Sequence, residues 1–170
     1  AGNALETEID TLDVINDTSG DIRIAESDNI EITRANQNTA GAVTVQTTSG
    51  SITVSTNGIT ATGGGTVTLN AQDTGSDLDV NAAVDAGSGQ IDFDAVDRIE
   101  LGAGLTTSGG TIDIDGNATI IDADITITTG GAAAGNIVLN DTVDSDSGQT
   151  RNLSLNAGDG HIVLAGTVGS

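Results

Sequence analysis

The amino-acid sequence predicts an all-β chain wound as a parallel β-helix, a β-solenoid of roughly seven coils of about 21–25 residues each. Three observations predict it. Apolar and polar residues alternate almost throughout, while helical spacing is nearly absent. Clusters of Gly, Ser, Thr, Asn and Asp separate the short strands, and Asn-Gly or Asp-Gly hairpin turns do not recur regularly. A longer repeat lies over the alternation. Val43, Val67, Ile91 and Ile112 open equivalent strands, at steps of roughly 24, 24 and 21 residues.

Along the chain the apolar–polar–apolar unit recurs as Leu12-Asp13-Val14, Ile22-Arg23-Ile24, Ile30-Glu31-Ile32, Val43-Thr44-Val45, Ile52-Thr53-Val54 and Val67-Thr68-Leu69. It continues as Leu78-Asp79-Val80, Ile91-Asp92-Phe93, Ile99-Glu100-Leu101, Ile112-Asp113-Ile114 and Ile125-Thr126-Ile127, then Ile137-Val138-Leu139, Leu153-Ser154-Leu155 and Ile162-Val163-Leu164. Each is a short strand with one face inward, because strand side chains alternate between faces. Each step reads as two strand types. One is short and often ends in alanine (VTLNA at 67–71, IDFDA at 91–95); the other is longer and ends in a glycine-rich turn (LDVNAAVDAGSG at 78–89, IELGAGLTTSGG at 99–110). Stacking puts like strands above like at about 4.8 Å, in parallel, for a rod about 35 Å long. Before residue 43 the spacing contracts, and Leu5 to Ile9 has no assigned place. Between Ile112 and Leu153 the register stays open: TIIDADITITTGGAAAG holds one long strand or two. An up-and-down or sandwich arrangement is the competing architecture.

Composition agrees with a thin interior. The chain has 170 residues, 25 of them acidic against four arginines, and Phe93 is its only aromatic residue. Its core must therefore be built from Ile, Val, Leu and Ala, without the large aromatics that compact globules recruit. A net charge of −21 argues against nucleic acid or anionic membranes as partners and favours cations. There is no cysteine, no signal peptide and no apolar run approaching a membrane span. Residues 1–170 read as one solenoid segment, and the polar, mid-pattern opening AGNALETEID reads as an excerpt of a longer chain. Ile162 to Val168 forms an apolar strand without a cap, so flanking repeats or self-stacking copies are the expected partners.

The units VTLNAQDTGSDLDVNAAVDAGSGQIDFDA and NLSLNAGDGHIVLAGTV resemble the repeats of bacterial large exoproteins of the filamentous-haemagglutinin type, and other strand-repeat adhesins. The resemblance covers most of the chain and rests on alternation with Gly and Asn turns. It implies a right-handed parallel β-helix, export to the extracellular space or cell surface, and a role in adhesion or as a stalk. Glycans or a host or matrix surface are the implied external partners.

Carboxylates are the only abundant reactive groups. The strand frame turns Asp92 and Asp94 outward on one coil and Asp113 and Asp115 on the next, with Asp92 near Asp113, Asp94 near Asp115, and Asp79 near Glu100. Such repulsion needs solvent, raised pKa values or a bound cation, and calcium is the hard cation that oxygens of this kind take. Asp92, Asp94, Asp113 and Asp115 are thus the candidate calcium patch, against the plainer reading of a solvated acidic face. Asp141, Asp144 and Asp146 match no calcium-loop motif and read as an acidic turn. A lyase or hydrolase would use a pair such as Asp122 and Asp124 as acid and base. The missing Tyr, Trp and Lys argue against it, so no enzyme activity is expected. His161 reads as a turn residue, and Arg23, Arg34, Arg98 and Arg151 as partners of nearby acids. Thr44, Thr53, Thr68 and Thr126 invite comparison with an ice-binding threonine ladder, which Asp79, Asp92, Glu100 and Asp113 would interrupt. The function expected is structural: a repeat segment of a secreted or cell-surface adhesin, stalk or matrix fibre. A carbohydrate- or calcium-binding extracellular module is the alternative.

Overall fold

In the computed structural model, which describes residues 4–130 and 135–169, seven coils stack in parallel and an eighth begins. The first coil holds β1 (Leu5–Thr7) and β2 (Thr11–Asn16), and the second β3 (Ile22–Glu26) and β4 (Ile30–Gln37). Later coils carry three strands each. They are β5 (Val43–Thr47), β6 (Ile52–Val54) and β7 (Ile59–Ala61); β8 (Val67–Ala71), β9 (Leu78–Val80) and β10 (Val84–Asp85); and β11 (Ile91–Ala95), β12 (Arg98–Leu101) and β13 (Leu105–Thr106). Then come β14 (Ile112–Asp115), β15 (Ala118–Ile121) and β16 (Ile125–Thr128), followed by β17 (Ile137–Leu139), β18 (Thr142–Ser145) and β19 (Leu153–Asn156). β20 (Ile162–Leu164) opens the next turn.

The first face is one eight-stranded parallel sheet, β1-β3-β5-β8-β11-β14-β17-β20. The other strands form a second sheet with two ladders, the second face (β6, β9, β12, β15, β18) and the third (β7, β10, β13, β16, β19), joined where β4 is long enough to serve both. This corrects the expectation of two strand types per coil. The longer type bends at residues 81–83 and 102–104, so that β9 and β10, or β12 and β13, lie on different faces. It also settles the two open stretches. Leu5–Thr7 pairs with Ile24–Glu26, and the run from Ala118 to Thr128 holds two strands; its tail at 131–134 lies outside the described residues.

Alternation fills the interior with aligned aliphatic rows. On the first face Ile22, Val43, Val67, Ile91, Ile112 and Ile137 stack, and beside them Ile24, Val45, Leu69, Phe93, Ile114 and Leu139. All twelve are buried, each worth roughly 1.5–3 kcal/mol of transfer free energy. Phe93 occupies a Leu/Ile position in its row and is fully buried.

Two devices hold the corners, where strands stop. The first is a glycine column. Gly20, Gly41, Gly65, Gly89, Gly110, Gly135 and Gly160 each precede a first-face strand by two residues. A methyl group at Gly110 would lie 1.7 Å from the carbonyl oxygen of Gly89, and one at Gly65 the same distance from Gly41. Only glycine lets the backbones approach this closely. The second device is a set of short polar side chains that accept from the next coil's backbone. Asn29 Oδ1 accepts from Ser51 N at 2.7 Å, Ser51 Oγ from Asp77 N at 3.0 Å, and Asp77 Oδ1 from Arg98 N at 3.3 Å. These bonds satisfy amides that the strand ladders leave out.

Candidate functional site

The register brings together the acidic residues that the strand frame turns outward. Asp92 pairs with Asp113 and Asp94 with Asp115 across β11 and β14, one ladder step apart. Asp79 pairs with Glu100 across β9 and β12. Burial, then Asp113, then Asp94 hold the Asp92 carboxyl above its usual range. Asp115 is raised by burial and then by Asp141 and Asp94. Asn140 donates from Nδ2 to Asp113 at 2.8 Å, so one end of the patch is neutrally capped. Among the described residues, no group of three or more His, Asp or Glu side chains converges to hold a metal ion. Asp92, Asp94, Asp113 and Asp115 are thus stacked pairs along a face.

On the second face Arg98 offsets part of the charge. Its Nε lies 2.9 Å from Glu100 and 3.5 Å from Asp77. Burial and Asp77 nonetheless raise Asp79, and its buried Oδ1 has no hydrogen-bond partner. Glu100 is also raised, chiefly by burial, which Arg98 opposes. Over this face folds the corner 146–152, longer than the three-residue corners of the preceding three coils. Arg98, Glu100, Ile120, Asp144 and the turn Ser145–Gln149 line an open groove of about 650 Å³.

Other acids have structural partners. Asp124 accepts from Asn152 through both backbone N (2.8 Å) and Nδ2 (3.0 Å), which lowers its pKa; it is therefore a corner cap, poorly suited to general acid work. In the acidic turn, Asp141 Oδ2 accepts from Gly116 N at 2.8 Å, Asp144 Oδ1 from Ser145 N at 2.8 Å, and Asp146 pairs with Arg151 at 2.7 Å. Arg23 pairs with Asp21 and Arg34 with Asp13, the ordinary partnering expected of isolated arginines. His161 lies in the glycine-column corner and donates its backbone N–H to Asn136 Oδ1 at 2.9 Å. Thr44 and Thr68 adjoin on the first face, but Thr53 lies on the second and Thr126 on the third. These four make no single ladder.

One residue escaped the sequence reading. Glu26 is 1% exposed and sits in the inward row that Thr47, Ala71 and Ala95 continue. The signal was present: in IRIAE the acid falls on the inward phase that VTVQT, VTLNA and IDFDA give to Thr or Ala. Its Oε2 accepts from Thr7 Oγ1 at 2.5 Å and from Ile9 N at 3.1 Å, and its Oε1 from Ser27 N at 2.8 Å. Burial pushes its pKa up, but these bonds outweigh it and leave it below its ordinary 4.5.

No described helix is long and apolar enough to cross a membrane. Comparison with protein-family models, with curated proteins and with solved structures gives no match to this chain.

Proposed function

We propose that this chain is a structural repeat segment, a stiff spacer within a secreted or cell-surface bacterial adhesin, stalk or matrix fibre. The observation that carries the reading is the unbroken first-face ladder from β1 to β20, which joins every coil to the next in parallel register. Backbone bonds run along the rod axis, aliphatic rows fill the inside, and polar corner bonds lock adjacent coils against slipping. A net charge of −21, carried almost wholly on the outer surface, keeps such rods apart. No catalytic step is assigned. The acid pair best placed in sequence, Asp122 and Asp124, includes a carboxylate already committed to Asn152. Flanking repeats or further copies are the proposed axial partners.

Recognition of a glycan or matrix surface is the second reading, and the groove under the 146–149 turn is what favours it. Antibodies raised against this segment should label unpermeabilised cells of the producing organism, with labelling lost after protease shaving. Labelling confined to permeabilised cells would overturn the surface role. Binding to arrayed glycans that disappears when the 146–149 turn is shortened would favour the second reading.

A further inference from the structure

Glu26 is the one acidic side chain turned into the interior and buried there among the described residues. An ionised carboxylate in such a place is costly unless donors surround it. Here donors come from two coils: Thr7 Oγ1 and Ile9 N from the first, Ser27 N and, at 3.4 Å, Ser27 Oγ from its own corner. No later coil repeats the arrangement, because Thr47, Ala71 and Ala95 occupy the equivalent positions. Glu26 itself, with Glu6, Thr7, Glu8, Ala25, Ser27 and Thr48, lines an open hollow of about 520 Å³ that has no arginine or histidine in its wall. The titratable groups around Glu26 are therefore Glu6 and Glu8, which line the same hollow, and Asp28, two residues on; the coil above contributes Thr47 at the end of β5 and Thr48 after it.

We propose that Glu26 is an acid-released latch, whose ionised carboxylate ties the segment after β1 to the second coil and whose protonation opens that junction before the rest of the rod. A protonated carboxyl keeps one oxygen able to accept and turns the other into a donor. The N–H groups of Ile9 and Ser27 can only donate, so they are then held by a neutral, weaker acceptor, while Thr7 Oγ1 can turn to accept. Glu6 and Glu8 carry like charge and cannot take over the contact. The direction follows from the same donors. A carboxylate held below its ordinary 4.5 stabilises the fold above that value, and the contribution is lost as pH falls beneath it.

Hydrogen exchange of the intact chain, expressed as protection factors, tests the latch. Between neutral pH and about pH 3, protection of residues 5–16 should fall roughly severalfold, while residues 91–114 keep theirs. Glu26→Gln should show the lowered protection already at neutral pH and no further acid step. Glu26→Thr, which copies the next coil at Thr47, guards against a misfolded amide variant and should also lack the step. Glu6→Gln with Glu8→Gln should retain it. Wild-type protection in Glu26→Gln at neutral pH, or a full acid step in Glu26→Thr, would overturn the proposal. So would loss of the step in the Glu6, Glu8 variant.

Discussion

On the second coil, Glu26 and Asp21 sit among donors. Glu26 gathers Thr7, Ile9 and Ser27, while Asp21 accepts from Ala42 N and pairs with Arg23. On the fourth to sixth coils, Asp79, Asp92, Glu100 and Asp115 face other carboxylates one ladder step away. The first pair is held below the ordinary carboxylate range and the second set above it. Burial raises all of them; what separates them is whether donors or further carboxylates stand beside them, largely at the same register on the adjacent coil. In a solenoid each side chain meets its own kind of position a coil later, so a substitution that repeats a charge stacks it, and one that alternates charge with a donor caps it. Acid should therefore loosen one level of this rod and relax another.

The largest expected effect is a control that ought to ignore this difference. Gly41→Ala, at the donor-rich level, and Gly110→Ala, among the stacked acids, place methyl groups 2.0 Å and 1.7 Å from the carbonyl oxygens of Gly20 and Gly89. Each should cost about 3 kcal/mol or more, since backbone must move to admit them. The contact is uncharged, so denaturant midpoints should drop alike at neutral pH and near pH 4. A cost that changes with pH at only one position would mean that the corner and the charges are coupled.

A smaller effect, opposite in sign, comes from Thr119. It occupies the inward row between Ile99 and Val143, is 1% exposed, and its hydroxyl has no partner. Thr119→Val keeps the shape and removes the orphaned group. It should raise stability by about 1–2 kcal/mol. Calorimetry with no gain, or a loss, would show that the hydroxyl is satisfied by water in solution.

Thr119 also explains where the sequence stopped being readable. On β11 and β14 both inner rows are apolar and both outer rows acidic, so alternation and period agree; the acid pairs followed directly from that register. In β15 the phase holds but the residue types swap: Thr119 points in beside Ile121, while Ile120 points out and lines the groove. A reader who assumes apolar means inward loses the frame there. The third face was hidden for a different reason. Val84–Asp85 and Leu105–Thr106 are two-residue strands, too short to display an alternation. The glycine column, two residues ahead of each first-face strand from β3 to β20, would have carried the register through both gaps. Its constraint is a contact between coils, which no local window of sequence contains.

The smallest effect measures the stacked acids themselves. Asp92→Asn together with Asp113→Asn removes one like-charged pair from the face and should stabilise the rod at neutral pH by about 0.5 kcal/mol, a modest figure because the site is solvated. The pH dependence has a fixed sign. A carboxyl whose folded pKa is raised, as for Asp92, favours the folded state while protonated; that advantage is full below the ordinary 3.8 and lost as pH rises through the raised value. The variant's gain should therefore fade as pH falls towards 3.8, while wild type closes the gap. Salt separates repulsion from ligation. With stacked pairs and no convergent triad among the described residues, sodium and calcium chloride at equal ionic strength should raise the wild-type melting midpoint equally, and by more than they raise the variant's, whose remaining acids are still screened. A midpoint that climbs with millimolar calcium alone, and does so only while Asp92 and Asp113 are both present, would instead mean that the two side chains rotate to share an ion. The acidic face would then be the one level of the rod where a cation supplies what donors supply at Glu26.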